Sequence, residues 1–307
     1  MGKQNPKISV CMPVWNTVDH IEETVEGWIA QAFEDIEICI SDNASDDGTW
    51  EILRRLAKQD IRIRLNRNSE NLGAAKNFRI THDMATGDYM VWAGSDDLYD
   101  PAYCGKLLRE LESNPSCQLA VCALRRVSRR DDTLIEEVRY HDNYDPNRLS
   151  ALATMLHCLP RTREAGLASN YCYFCLGLYR RAFVSVLLKN DPDFIWRFEY
   201  KLPALAAMCG GIRYVDEVLV TKRIWQQRDK VVMGDPTKPR QVHKARVKWW
   251  VETMQCFIRA PVLPWYWKLV VPVIYMPVAV NAAKVMVVQY AYLYASKGRK
   301  QLQAYLR

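Results

Sequence analysis

Residues 8–124 alternate short apolar runs with helical stretches, which predicts a doubly wound α/β fold built on a mostly parallel sheet. Two further observations support that class. Polar clusters close several of the apolar runs, as at the carboxyl ends of strands where such sheets bind ligands. The chain has 307 residues and 49% apolar composition, enough for one large core plus an accessory region.

The elements follow in order. ISVCMPV (8–14) reads as a strand and HIEETVEGWIAQ (20–31) as a helix. EICIS (37–41) is a strand, GTWEILRRLAKQ (48–59) a helix, and IRIRLN (61–66) a strand. AAKNFRITHDMAT (74–86) suggests a helix and DYMVWA (88–93) a buried strand. PAYCGKLLRELES (101–113) is a helix with Pro101 in its first turn, and CQLAVCAL (117–124) closes the series. Residues 125–165 are polar and weakly periodic, a variable connection holding an edge strand or helix. The apolar run 170–188 precedes 191–211, a helix ending at Gly210 and Gly211, and 212–225 is strand-like. Three regions are expected: 1–124, 125–235 and 236–307.

Ten cysteines lie scattered, several inside apolar runs, which fits buried thiols in a reducing compartment better than a disulfide frame. Cys172 and Cys175 form a lone C-x-x-C with no second pair, so a core role outweighs a metal or redox one. The start, MGKQNPKISV, shows no ordered signal-peptide regions and lacks the Ser or Thr of a myristoylation pattern.

Charge is divided unevenly. From residue 222 onward there are sixteen Lys+Arg and three Asp+Glu, whereas the preceding part is net acidic. Residues 244–260 read as a basic amphipathic helix, and 261–295 are apolar and aromatic, with charges at Lys268 and Lys284. The uncharged run 269–283 is shorter than the roughly 20 residues a spanning helix needs, and Pro272, Pro277 and Asn281 interrupt it. Interfacial helices on an anionic membrane surface are expected, with Trp265, Tyr266 and Trp267 at headgroup level. The alternative is that these helices pack on the body or form a homodimer. No nucleic-acid partner is expected.

The chemistry concentrates at strand ends. Asp96 and Asp97, following a buried strand in VWAGSDDLYDP, repel each other and cost desolvation, so they are expected to hold a positive charge. A divalent Mg²⁺ or Mn²⁺ bridging carboxylate to a diphosphate is one such charge. SDNASDDGTW could supply a nucleoside pocket, with Asp42 accepting an imide N–H from a pyrimidine. The plainer role of Ser45, Asp46 and Asp47 is a helix N-cap, compatible with base binding. Neither a G-x-G-x-x-G nor a P-loop pattern is present. The polar clusters Trp15–Asn16, 41–47 and 94–97 should converge beyond the strand ends.

Together VCMPVWNT, SDNASDDGT and NLGAAKNFRITHDMATGDYMVWAGSDD resemble the opening strand, V-D-D-G-S-x-D-G-T, N-x-G…N and D-x-D-D motifs of family 2 glycosyltransferases. The resemblance covers about residues 8–225, weakening along the chain. It implies a GT-A fold and inverting transfer from a nucleotide-diphosphate sugar, a UDP-sugar by the Asp42 reading. It implies that Pro13, Val14 and Trp15 line the nucleoside pocket and that Asp42, with Asn43 beside it, meets the base. Asp96 would bind Mn²⁺ or Mg²⁺, and Asp97 would orient the sugar or back the metal. Gly94 stands at the first acidic position, a departure. Registering FEYKLPALAAMCGG on Gly210 makes Glu199 the catalytic base, with Asp193 and Asp191 as runners-up, and the position of a metal-side His falls on Trp225. Arg223 or Gln226 would then replace that His. Lys76 and Arg79 either meet the diphosphate or are solvated helix charges. The K-N-F form and the aromatic-basic tail resemble bacterial enzymes extending polyprenyl-diphosphate-linked saccharides at the cytoplasmic face of the membrane. Competing readings are a soluble sugar nucleotidyltransferase, which would normally show a Gly-rich phosphate loop, and a non-catalytic scaffold docking on membrane, favoured by Gly94 and Trp225.

Overall fold

The computed structural model describes residues 5–139, 175–190 and 198–224. The order is β1 (Ile8–Val14), α1 (Ile21–Ile29), β2 (Ile36–Asp42), α2 (Thr49–Gln59), β3 (Ile63–Arg67), α3 (Ala74–Met84), β4 (Tyr89–Trp92) and β5 (Leu98–Tyr99). Then follow α4 (Tyr103–Ser113), β6 (Leu119–Ser128), β7 (Leu134–Val138), β8 (Leu178–Arg180), α5 (Arg181–Asn190), α6 (Phe198–Cys209) and β9 (Ile212–Ile224). All the strands join one sheet in the order β3-β2-β1-β4-β8-β6-β9-β5, with β7 beside β6.

β1, β2, β3 and β4 form the expected parallel half, in register Ile8↔Ile36 and Ile8↔Tyr89. Every residue of β2 is buried, the polar Glu37, Ser41 and Asp42 included. Its first acidic residue, Glu37, is compensated: it accepts from the Ser9 hydroxyl (2.7 Å), the Thr86 N–H (2.6 Å) and hydroxyl (2.9 Å), and Arg64 (2.6 Å). Burial pushes its carboxyl upward, but these donors outweigh burial and hold it below its ordinary value.

The other half departs from the expected series. β8 inserts antiparallel between β4 and β6, so β4 and β6 run the same way without touching. β6 is longer than its apolar core and runs through residue 124 to Ser128. Arg125 and Arg126, read from sequence as connection, pair across the ladder with Glu137 and Glu136 of β7, the edge strand anticipated in the connection. Pro101 sits just ahead of α4 rather than in its first turn.

The helices bury the faces their periodicity predicts. α1 buries Ile21, Thr24, Val25 and Trp28. Trp28 stacks on Tyr99, ring centroids 4.2 Å apart, and meets Tyr103 edge-on at 5.7 Å. That cluster fastens short β5 to the body, each fully buried aromatic contributing about 1.5–3 kcal/mol. The described cysteines are free thiols, five of them buried, and burial pushes Cys39, Cys104, Cys122 and Cys209 up to about 12. Among the described residues no helix is long and apolar enough to cross a membrane. The tail from 226 onward and Cys172 lie outside the described residues.

Candidate active site

Parallel register fixes where the strand ends meet. Val14 lies opposite Asp42, and Cys11 opposite Trp92, with the Ala93 N–H donating to the Cys11 carbonyl (2.9 Å). The loops after β1, β2 and β4 therefore leave the sheet side by side, as the three polar clusters predicted.

The first two loops clasp each other. The Asn16 N–H donates to Ser45 Oγ (2.9 Å), Asn16 Nδ2 to Asp46 (2.9 Å), and the Asp46 N–H back to Asn16 Oδ1 (3.2 Å). Asp47 receives the Val18 N–H (3.0 Å) as well as the Thr49 N–H (3.0 Å), linking the neighbouring loop to the first residue of α2; the N-cap itself is the left-handed Gly48, not one of Ser45, Asp46 and Asp47 as expected. Asn16 and Ala44 both adopt left-handed backbone, φ 48° and 60°. Ala44 occupies the glycine position of the V-D-D-G-S pattern and holds that conformation at a steric cost.

Behind these loops runs a network of buried amides. Asn77 of α3 donates to the Ser41 carbonyl (2.8 Å) and accepts from Asn68 (3.1 Å), which also donates to Asn43 Oδ1 (2.9 Å). Asn43 Nδ2 donates to Asn71 (2.7 Å), and its Oδ1 also takes the Leu72 N–H (2.9 Å). The Asn43 amide thus ties β2 to the turn ahead of α3. Asp42 is fully buried; its carboxylate accepts the Ser45 N–H (3.3 Å) and pairs with Arg67 Nε (3.2 Å). Arg67, partly exposed and lying over the Trp50 ring at 5.1 Å, is the group this pair turns toward solvent. Val14 is buried, Pro13 half-buried, and Trp15 is 49% exposed, a large aromatic face on the same rim.

The carboxylate doublet has its own cations. β5 pairs antiparallel with β9 in register Leu98↔Thr221, and one step further that register sets Asp97 across from Lys222 and Asp96 across from Arg223. Asp97 is fully buried, accepting from Lys222 Nζ (2.8 Å) and from the Arg223 N–H (3.2 Å). Burial pushes its carboxyl up to about 6 against the pull of Lys222, with Asp96 adding to the rise. Burial pushes the Lys222 ammonium downward, but the two carboxylates outweigh it and hold it above its ordinary range. Asp96 Oδ2 accepts from Arg129 Nη1 (2.7 Å), while Arg223 donates to the Asp96 carbonyl (3.3 Å). Arg223 also forks onto Asp132 (2.8 and 2.9 Å) and reaches Glu23 (2.8 Å). His20 borders this cluster: burial, then Arg129 and Arg223, lower its affinity for a proton.

Gly94 now has a physical reason. A Cβ there would stand 2.1 Å from Asp97 Oδ2, because the Asp97 carboxylate folds back over Gly94 toward Lys222. An acidic residue at 94 and this inward Asp97 exclude each other. Among the described residues no group of three or more His, Cys, Asp and Glu is placed to hold a metal. Asp96 can still offer one carboxylate, and Mg²⁺ or Mn²⁺ often takes one or two carboxylates and completes its shell with phosphate oxygens.

Lys76 is exposed on α3, and Arg79 is engaged by Asp83 (3.1 Å) and the Leu188 carbonyl (3.0 Å). Glu199 lies in the first turn of α6; Asp191, Asp193, Trp225 and Gln226 lie outside the described residues. Sequence reasoning missed Lys222, Arg129 and Arg67, and left Asn77, the second Asn of the N-x-G…N motif, without a role. Of the three missed cations Lys222 carried a signal: Lys222 and Arg223 interrupt an apolar strand as Asp96 and Asp97 close one.

The model of glycosyl transferase family 2 matches residues 9–187, more than half of the chain. Abequosyltransferase RfbV of Salmonella typhimurium is 44% identical over 93 residues, 29% of this chain and 28% of that protein. A putative teichuronic acid biosynthesis glycosyltransferase, TuaG of Bacillus subtilis, is 36% identical over 112 residues, 36% of this chain and 43% of that protein. These matches thus span less than half the length of either relative. Among solved structures, S. aureus TarS 1–349 in complex with UDP-GlcNAc superposes with TM-score 0.56 at 14% identity, covering 83% of this chain and 67% of that one. Mannosyltransferase PcManGT from Pyrobaculum calidifontis, in complex with GDP-Man and Mn²⁺, gives 0.54 at 18% identity, covering 97% and 81%. The mostly parallel sheet, the converging loops and the matched domain agree: this chain belongs to glycosyl transferase family 2 and has the GT-A fold.

Proposed function

We propose that the chain is an inverting glycosyltransferase that moves a sugar from a nucleotide-diphosphate donor, a UDP-sugar, to a lipid-linked saccharide. The observation that carries this reading is the convergence of the aromatic-rimmed, amide-braced loops after β1 and β2 with the Asp96–Asp97 doublet after β4, at neighbouring parallel strand ends. In this reading Trp15 covers the nucleoside, Pro13 and Val14 shape its floor, and Asp42 reads the base in concert with Arg67. Asn43 holds the loop that follows Asp42. Asp96 would supply the protein ligand of Mn²⁺ or Mg²⁺, whose chemistry is to neutralise the leaving diphosphate. Asp97, turned inward, acts as a positioning residue that fixes the Asp96 backbone. Glu199 deprotonates the acceptor hydroxyl, and exposed Lys76 adds positive potential near the diphosphate.

Nucleotide release should be measured with uridine-, thymidine- and guanosine-diphosphate sugars, with and without Mn²⁺. Release from a uridine donor is expected, and Glu199→Gln should keep donor affinity while losing transfer about 10²–10⁴-fold. No release with any donor overturns the enzymatic reading. Full transfer by Glu199→Gln removes the base assignment.

The fourteen Lys+Arg against three Asp+Glu from residue 226 onward support a peripheral position at the cytoplasmic face of a membrane. The full chain should cosediment with anionic vesicles, more weakly in high salt, and leave them fully only in detergent. Indifference to vesicles would assign the tail to packing or a dimer contact instead.

A further inference from the structure

The doublet's third cation meets the Asp96 carboxylate itself. Lys222 is committed to the buried Asp97 carboxylate, and Arg223 is divided among Asp132, Glu23 and the Asp96 carbonyl. Arg129, at the end of β6, contacts the Asp96 carboxylate through Nη1, the very group a divalent cation would need. Its backbone is fixed, since the Arg129 N–H donates to the Ile224 carbonyl (3.1 Å), but its guanidinium stands at the end of a long, adjustable stem. The two side chains are 11% and 15% exposed, so neither charge is well solvated once its partner leaves.

From this geometry we propose that Arg129 is an exchange residue. It occupies Asp96 before the donor arrives, yields that carboxylate to the cation, and transfers its own guanidinium to the donor's diphosphate. This rests on the reading of the cleft as a nucleotide-sugar site. The charges carry the argument. Asp96 and Arg129 cancel, so a divalent cation entering alone brings two unbalanced positive charges and must compete with a guanidinium. A sugar-nucleotide diphosphate entering alone brings roughly two negative charges and finds Arg129 already taken. Entering together, cation and diphosphate give the Asp96 carboxylate and the Arg129 guanidinium each an opposite charge in place of the one it loses, which weighs most where solvation is poor. Arginine suits the second role because its planar fork matches phosphate oxygens. The cation and the diphosphate therefore bind cooperatively, each raising the affinity of the other by the same factor.

The test measures Mn²⁺ binding by electron paramagnetic resonance of the free ion, on the full-length parent and on Arg129→Gln, with and without UDP or GDP. In the parent, nucleotide should tighten Mn²⁺ binding at least tenfold. Arg129→Gln should bind Mn²⁺ alone several-fold more tightly than the parent, bind nucleotide without metal no better, and lose most of the cooperativity. Circular dichroism melting of both proteins confirms that the variant is folded, and Arg129→Lys provides a second variant, expected to keep part of the cooperativity. Equal Mn²⁺ affinity in parent and Arg129→Gln, or unchanged cooperativity, overturns the exchange. Donor turnover in the parent alongside either result leaves the glycosyltransferase reading intact. Absence of nucleotide binding in the parent overturns both.

Discussion

Replacing Lys222 by methionine isolates what holds the acidic doublet in place. Methionine keeps most of the side chain's length and apolar stem while removing the charge that faces Asp97 at 2.8 Å. Asp97 is wholly buried and would retain the Arg223 N–H as a donor. Breaking a buried pair by removing one partner costs about 3–5 kcal/mol, because the remaining charge stays desolvated. The cost depends on pH, and its sign follows from proton uptake. In the parent, Asp97 titrates at about 6, above its ordinary value of 3.8, so its contribution to stability declines as pH rises between those values and is level above. Without Lys222 the folded-state value rises further, so the variant continues to lose stability above pH 6 where the parent does not. The deficit should grow by at most about 1.4 kcal/mol per pH unit from pH 6 upward. Urea unfolding at pH 6 and pH 8, followed by circular dichroism, reads it directly. Adding Asp97→Asn to Lys222→Met should restore much of the loss at pH 8, since a neutral amide needs no counter-charge. A deficit independent of pH, with no rescue by Asp97→Asn, would refute the pairing as the source of stability.

Two further predictions concern the nucleotide-side half. Ala44→Gly should raise the melting temperature modestly, relieving a left-handed alanine worth about 1–2 kcal/mol of strain while losing about 0.5–1 kcal/mol to glycine's unfolded freedom; a fall in melting temperature would show that the methyl group packs productively. Glu37→Gln should cost about 1.5–3 kcal/mol at pH 7, because charged hydrogen bonds to Ser9, Thr86 and Arg64 become neutral or are lost. Glu37 titrates below its ordinary value when folded, so its stabilisation is full above pH 4.5 and is lost as pH falls through the folded value. The variant's deficit should therefore shrink in acid, and a deficit constant from pH 7 to pH 3.5 would remove this explanation.

Local pattern made the parallel half legible and left the other half partly hidden. ISVCMPV is β1 to the residue, because a strand buried on both faces has no other way to read. β8 was lost inside a long apolar run, where three strand residues pass directly into α5 with no turn residue between them. Its position between β4 and β6 is a property of the whole sheet, which no window of sequence contains. β6 was cut short because Arg125 and Arg126 look like loop residues until Glu136 and Glu137 are set opposite them. The site divides the same way. Asp96 and Gly94 were visible as a motif and its exception, but the reason for the exception is a side-chain direction: Asp97 turned inward over Gly94. The cations that turn it lie more than a hundred residues away, and only the ladder between β5 and β9 brings them across.

That ladder also ties together parts of the site that lie far apart in sequence. α6, which carries Glu199 in its first turn, ends at Cys209, and a left-handed Gly211 (φ 96°) turns the chain directly into β9. β9 runs parallel to β6 from Ile212 to Ile224, with register shifts at Cys122–Ala123 and Ala123–Leu124, and beyond them presents Lys222 and Arg223 to the doublet. The helix holding the proposed base and the loop holding the proposed cation ligand are thus joined through one continuous strand and a cross-strand set of buried charges. Such a set is poor at adding net stability but strict about geometry, because a shifted register would leave several charges desolvated and unpaired. A one-residue slip of β9 would move Lys222 from Asp97 and Arg223 from Asp132 together. The doublet's own cations therefore fix the register of β9 where it meets β5, and with it the backbone that carries Asp96 after β4.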